Sequence, residues 1–132
     1  MRKFEFEYLN VFQHALDVAV LVDEVAASLP VGRAYLADQI RRASASLVLN
    51  IAEGAGETAL PDKARFYRYA KRSGVETAGG VVLAEKLKIA EPDLTGPARE
   101  VLLRVLPMLV GLIKSCARRD EQDPANPKAR VS

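Results

Sequence analysis

Residues Gln39 to Gly54 read QIRRASASLVLNIAEG, and this stretch decides the fold. At about 100° per residue, one set of its apolar residues falls on one side of a helix and a second set on the far side. The first set, extended by the preceding turn, is Leu36, Ile40, Ala43, Leu47 and Ile51, and the second is Ala37, Ala45, Val48, Leu49 and Ala52. A helix that is apolar on two sides is normally enclosed on two sides. The pattern predicts the central helix of a bundle that also contacts something beyond its own chain.

Three further stretches carry helical periodicity. Over residues 8–27 the apolar residues recur at steps of four and three, which is typical of a bundle seam. A third helix is predicted to begin at Pro61 and to persist to about residue 89 or 91, and a fourth to cover residues 97–118. Proline and glycine in residues 91–97 predict a turn between them. The fold class is therefore all-α, an antiparallel up-and-down four-helix bundle.

The domain organisation follows from composition. Residues 1–119 are predicted to form the bundle, and residues 120–132, with two prolines and almost no apolar residues, a disordered tail. Within the third helix Gly79-Gly80 costs on the order of 1–2 kcal/mol of helix propensity. A bulky neighbour packed against this notch would compensate, and a kink is the alternative.

The fourth helix carries more apolar surface than a lone bundle can bury. It is apolar nearly all round from Val101 to Ile113 and is interrupted only by Arg104. We expect it to lie between its own bundle and a neighbouring subunit, so the protein is predicted to be a homo-oligomer.

Charge and cysteine content bound the function. The net charge is +2, but residues 1–32 carry −3 and residues 33–72 carry +4, so the basic excess lies on the middle helices and at the C-terminal end. The single cysteine, Cys116, cannot form an internal disulfide, which favours the cytoplasm. The longest apolar run is far shorter than the ~20 residues of a membrane span, so we expect no membrane association.

The sequence does not contain a recognisable set of catalytic residues. His14 is the only histidine and has no second histidine or cysteine at ligand spacing, so neither a metal site nor a cofactor is expected. No motif for phosphoryl, acyl or hydride transfer is present. We predict that the protein is not an enzyme.

A polar strip runs beside the apolar seam of the second helix. Its members are Gln39, Arg42, Ser46, Asn50 and Glu53. Asn50 lies at the edge of the core, where an unpaired amide would cost roughly 1–3 kcal/mol, so we expect it to bond Ser46, Glu53 or Ser73. Two interpretations remain open: a polar network that fixes helix register and subunit contact, or direct contact with a ligand.

The third helix carries a basic face. Arg65, Arg68 and Arg72 share this face with Tyr69, and arginines interleaved with aromatic rings suit nucleic acid. The alternative is that Arg72 pairs with Glu76 one turn later and that Arg68 or Arg65 pairs with an acid on a neighbouring helix.

The stretch Gln39-Ile40-Arg41-Arg42-Ala43, followed by Asn50-Ile51-Ala52-Glu53-Gly54, resembles the signature of small bacterial bundle proteins found in intervening sequences of 23S ribosomal RNA genes. The similarity covers roughly residues 8–115. It continues in the third helix at Phe66, Arg68, Ala70, Ser73 and Glu76. It implies a ring-shaped homopentamer, and related accessory proteins of diversity-generating retroelements bind nucleic acid and a reverse transcriptase. Leu47-Val48-Leu49 departs from the family, which often has a proline and a serine there, and Gly79-Gly80 departs as well.

The sequence thus predicts a cytoplasmic, non-enzymatic homo-oligomer, a pentamer by resemblance. Its expected partners are itself, RNA or DNA, and a reverse transcriptase or other protein. The candidate nucleic-acid-binding residues are Arg41, Arg42, Arg65, Arg68, Tyr69 and Arg72. The candidate structural network is Gln39, Ser46, Asn50, Glu53, Ser73 and Glu76. The alternative is an adaptor that acts only through protein contacts.

Overall fold

The structure, a computed structural model, describes residues 1–130 as four helices joined by short connections. They are α1 (Asn10–Ser28), α2 (Ala34–Gly56), α3 (Leu60–Lys86) and α4 (Pro92–Gln122), with 3₁₀ turns at Glu5–Tyr8, Val31–Arg33 and Pro127–Arg130. Each helix packs against two others, in the cyclic order α1–α2–α3–α4. The predicted all-α four-helix bundle is confirmed.

The core lies along the apolar seam that the central stretch predicts. Ile40, Leu47 and Ile51 of α2 have no exposed surface, and neither have Val18 and Val22 of α1. The far side of α2 divides between two environments, because Val48 and Ala52 are half-buried while Leu49 is 64% exposed. One side of α2 thus builds the core, and the other leaves apolar surface at the outside of the chain.

The α2/α3 contact is close because α3 is lined with small residues. A Cβ on Gly80 would overlap the Cγ2 methyl of Ile40 and come within 3.8 Å of Leu36. The expected bulky neighbour at this notch is therefore Ile40. A Cβ on Gly54 of α2 would in turn lie 2.7 Å from the ring of Tyr67. Glycine is required at both points by proximity to a neighbouring side chain.

The predicted turn over residues 91–97 is wrong, because α4 already begins at Pro92. Proline suits the first helical position and Asp93 complements the helix dipole. The amides of Leu94 and Thr95 both donate to the Glu91 carbonyl, at 2.9 and 3.1 Å. Thr95 is fully buried, so packing of this first turn outweighs the turn-forming composition.

Helix α3 ends at Lys86, earlier than the sequence predicts. Lys88 has a φ of 58°, in the left-handed region that usually requires glycine. The amide of Lys88 donates to the Glu85 carbonyl at 3.1 Å and that of Ile89 to the Ala84 carbonyl at 3.2 Å. This is a Schellman cap, and Ile89 packs against the core beyond it.

The boundary predicted between bundle and tail falls inside α4, which continues to Gln122. Asn126 then donates through Nδ2 to the Asp120 carbonyl at 2.8 Å. Disorder of residues 120–132 stays a prediction, and residues 131–132 lie outside the described chain. No helix within residues 1–130 combines the length and the apolarity needed to cross a bilayer.

Candidate nucleic-acid interface

The polar strip of α2 faces α3 and is bonded to it at two levels. The Ser46 and Ser73 hydroxyls lie 2.8 Å apart. Two turns away, Gln39 donates through Nε2 to the carboxylate of Glu76. Both bonds join α2 to α3 within one chain, so they fix the register of these two helices.

Asn50 extends this network toward the end of α2. Its Nδ2 donates to the carbonyl of Ser46 at 2.9 Å and to the hydroxyl of Ser46 at 3.0 Å. Ser46 is one of the three partners expected from the sequence. The Glu53 side chain is exposed and forms no hydrogen bond within the described residues, so the structure does not join it to the network.

Two aromatic rings lie between two guanidinium groups along the exposed side of α3 next to this network. The Arg65 guanidinium carbon lies 5.3 Å from the ring centroid of Phe66. The Phe66 and Tyr69 rings meet edge to face, with centroids 5.9 Å apart and an interplanar angle of 85°. The Arg72 guanidinium carbon lies 6.0 Å from the centroid of Tyr69. We call Arg65, Phe66, Tyr69 and Arg72 the arginine–aromatic ladder.

Carboxylates neutralise only part of this basic surface. Arg65 pairs with Asp62 of its own helix at 3.4 Å, and both side chains are about half exposed. Within residues 1–130, Arg42, Arg68 and Arg72 form no ion pair. The alternative pairing of Arg72 with Glu76 is absent, since Arg72 lies by the Tyr69 ring and Glu76 accepts from Gln39.

Two of the predicted arginines lie apart from the ladder. Arg41 donates through Nε to Asp23 of α1 at 2.9 Å, so it lies on the side of α2 away from α3. Arg68 lines a depression with Cys116, Ala117 and Asp120, which belong to α4. Of the predicted residues, the structure therefore brings together Arg65, Tyr69 and Arg72, and Arg42 belongs to the strip of α2 that faces α3.

Phe66 is the site residue that the sequence analysis left out. In the sequence it stands out only as a position of the family resemblance, and in the structure its side chain is partly buried. The signal was its position one residue after Arg65 and three before Tyr69, where a half-buried ring contacts both.

The ionisable groups elsewhere show one perturbation relevant to stability. Burial raises the pKa of the Tyr67 phenol above its usual value of 10.0, and the neighbouring Cys116 adds to this. Cys116 is itself buried. In residues 1–130 no three histidine, cysteine, aspartate or glutamate side chains are grouped as metal ligands would be.

An apolar surface lies between α3 and α4, on the side of α3 away from α2. Leu103 is 59% exposed, and Val75 and Val82 are exposed to a similar degree. Ala78, Val82, Leu103 and Leu106 line one shallow depression. We call Val75, Ala78, Val82, Leu103 and Leu106 the α3/α4 apolar surface. The apolar composition of α4 predicts such a surface, but the contribution of α3 emerges only from the packing.

The sequence over residues 7–111 matches the 23S rRNA-intervening sequence protein family. The chain belongs to this family. The match includes all of α1, α2 and α3 and more than half of α4, and it confirms the resemblance carried by the α2 signature. No curated protein matches the sequence. The description of the family names neither a reaction nor a ligand, so function has to be argued from the surfaces above.

Proposed function

We propose that this protein is a non-enzymatic homo-oligomer of the cytoplasm that binds RNA or other nucleic acid through the α2/α3 side of the bundle. The observation that carries the proposal is the arginine–aromatic ladder, in which Arg72 has no carboxylate partner within the described residues. Arg42 of α2 and Arg68 of α3, which lie outside the ladder, have none in that part of the chain either. Guanidinium groups bind phosphates and exposed rings stack on bases. The ladder offers both along two turns of one helix.

Assembly of identical chains is supported by the α3/α4 apolar surface. Exposed leucine and valine side chains grouped between two helices are typical of a protein interface. The charge nearest to this surface is Arg99, which lines the same depression and is paired with Glu85, so the surface carries little unpaired charge of its own.

Assembly would strengthen nucleic-acid binding. Each chain contributes only a few unpaired arginines, and one such set binds a polyanion weakly at physiological salt. Repetition of the set around an oligomer makes later contacts intramolecular, which raises the effective affinity without new residues. A pentamer, which the family resemblance implies, would present five copies.

The alternative function is an adaptor that acts through protein contacts alone. It is favoured by the ion pairs of Arg41 and Arg65 and by the carboxylates of Glu53 and Glu76 on the same side of the bundle. In that case the basic residues serve solubility, and the apolar surface carries the function.

A salt titration separates the two functions. We expect the purified protein to retard a structured RNA at low ionic strength and to release it as salt rises. The triple substitution Arg65→Ala, Arg68→Ala, Arg72→Ala should weaken binding at least about tenfold, as the counterion release of three phosphate contacts requires. The oligomer should keep its mass.

The matched control removes the same three charges elsewhere. Arg2, Lys114 and Arg118 are exposed and form no ion pair within residues 1–130. Their joint replacement by alanine should leave binding within about twofold of wild type. Absence of RNA binding by the wild-type protein at low salt, or equal loss in both triple variants, would contradict the proposed role of α3.

A further inference from the structure

We infer that the ligand of the α2/α3 side is a single-stranded segment, whose unpaired bases stack on the arginine–aromatic ladder. This inference rests on the proposed function and names the class of nucleic acid. Tyr69 is 41% exposed although its ring contacts both Phe66 and Arg72. Ring surface therefore remains open to solvent beside a guanidinium group that the same ring orients.

The arrangement of the ladder suits contact with base faces better than contact with the phosphate backbone alone. From Arg65 to Arg72 the ladder spans roughly 10 Å along the helix axis, at about 1.5 Å per residue. In that distance it presents two rings and two guanidinium planes, and both kinds of plane stack on bases. Lysines, which bind phosphates as point charges, are absent from the ladder.

A duplex would leave these planes unused. Its base faces are stacked on each other, and the major groove of double-stranded RNA is too deep and narrow for side chains to read. A helix packed on a bundle meets such a duplex at phosphates and 2′-hydroxyls rather than at base faces. An unpaired strand offers the rings and guanidinium planes a stacking partner as well as charge.

An acceptor beside the ladder can contact the edge of an unpaired base. Asn50 lies on α2 midway between the level where Ser46 meets Ser73 and the level where Gly54 meets Tyr67, which places it level with Tyr69 and Ala70 along α3. Its Nδ2 is occupied by Ser46. Its Oδ1 accepts no hydrogen bond within the described residues, so it is available to an exocyclic amine.

The test compares three probes of equal length and charge per strand. They are a fluorescein-labelled 20-nucleotide RNA of mixed sequence without self-structure, the same strand annealed to its complement, and a 20-unit abasic ribose-phosphate strand. At one salt concentration we expect the single strand to bind at least about tenfold more tightly than either the duplex or the abasic strand, since both lack accessible base faces.

Variants of Tyr69 assign the stacking. Tyr69→Leu keeps apolar bulk and removes the ring, so single-strand binding should weaken about tenfold while duplex binding changes less than twofold. Tyr69→Phe should bind as wild type does. The control is Tyr35→Leu, which changes another exposed tyrosine in the first turn of α2. It should leave the affinity for the single strand unchanged. Circular dichroism confirms that each variant is folded.

The outcomes separate this inference from the proposed function. If single strand and duplex bind equally, or if Tyr69→Leu binds the single strand as wild type does, the strand preference is overturned and the nucleic-acid function stands. Binding of the abasic strand as tightly as the RNA also overturns it. If no probe binds at low salt, the proposed function fails and this inference fails with it.

Discussion

The two halves of the outward side of α3 differ in chemistry, although they belong to one uninterrupted helix. The first half, residues 65–72, presents arginines and a tyrosine. The second half, residues 75–83, presents Val75, Val82 and Leu83, with exposed Glu76 and Gly79 among them. A helix that met only water would carry polar residues along its whole outer side.

The inward side of α3 does not change in the same way. It carries small or apolar residues from end to end, namely Ala64, Tyr67, Ala70, Ser73, Gly74, Thr77, Val81 and Ala84. The bundle therefore imposes one requirement along α3, and we propose that the difference between its outer halves reflects contacts outside the chain. We attribute the first half to nucleic acid and the second to another copy of the protein.

The largest expected effect is loss of assembly on charging the apolar half. Leu103→Glu places a carboxylate in the α3/α4 apolar surface, and burying it unpaired in an interface costs about 3–5 kcal/mol. We expect the variant to run as a single folded chain in size-exclusion chromatography with light scattering. It should still bind RNA, although more weakly than the oligomer.

The control for this variant is Val31→Glu, because Val31 is 99% exposed in the connection between α1 and α2. It should assemble as wild type does. Retention of the full mass by Leu103→Glu would remove the second half of α3 and its neighbour Leu103 from the subunit contact.

The next effect concerns the inward side that both halves share. Gly80→Ala places a methyl group against Ile40, whose β-branched side chain has little freedom to move. Overpacking costs about 1–3 kcal/mol, so urea unfolding should occur at lower denaturant despite the better helix propensity of alanine.

Gly79 supplies a matched control one residue away. A Cβ on Gly79 meets nothing within 4 Å, so Gly79→Ala should raise the free energy of unfolding by up to about 1 kcal/mol. Equal stability of Gly79→Ala and Gly80→Ala would contradict the close contact between α2 and α3 at Gly80.

A smaller loss of stability is expected at the polar network that lies beside residues 65–72 of α3. Asn50→Leu removes two hydrogen bonds to Ser46, which should lower the free energy of unfolding by about 1 kcal/mol. Thermal unfolding measures this, and light scattering reports whether subunit number also changes. Unchanged stability and unchanged mass together would deny Asn50 a structural role and leave ligand contact as its function.

The smallest effect appears only in alkali. Because burial raises the pKa of Tyr67, the unfolded chain loses this proton before the folded chain does. Stability from this group is complete below the unfolded pKa of about 10 and is lost as pH rises toward the folded value, by up to about 1.4 kcal/mol per pH unit. Tyr67→Phe should flatten this loss, whereas Tyr35→Phe, at an exposed position, should not. Parallel profiles for Tyr67→Phe and wild type would contradict the assignment.

The sequence predicts the bundle well because periodicity reports which residues face a core. The number and order of the helices follow from it, and α1 differs from its predicted bounds by one or two residues. The predicted end of α3 and the predicted start of α4 are wrong because packing between helices outweighs local sequence preference. Burial of Thr95 keeps residues 92–97 helical, and Lys88 adopts a backbone conformation that local rules give to glycine.

The candidate site is predicted less completely because a helical wheel does not say which neighbour lies on which side. Arg41 and Arg42 are adjacent in sequence, yet Arg41 pairs with Asp23 of α1 while the strip that contains Arg42 faces α3. The bond between Asn50 and Ser46 was predictable because both residues belong to one helix. The contacts from Gln39 to Glu76 and from Ser46 to Ser73 depend on the register of two helices, which the sequence alone does not specify.

The most direct test of the central claim, that identical chains share apolar surface left open by the bundle, is the mass of the wild-type protein in solution. Light scattering at micromolar concentration should report a stable particle several times the 14.4 kDa of one chain. A well-folded particle of 14.4 kDa at that concentration would contradict the claim, because the second half of α3 would then face water.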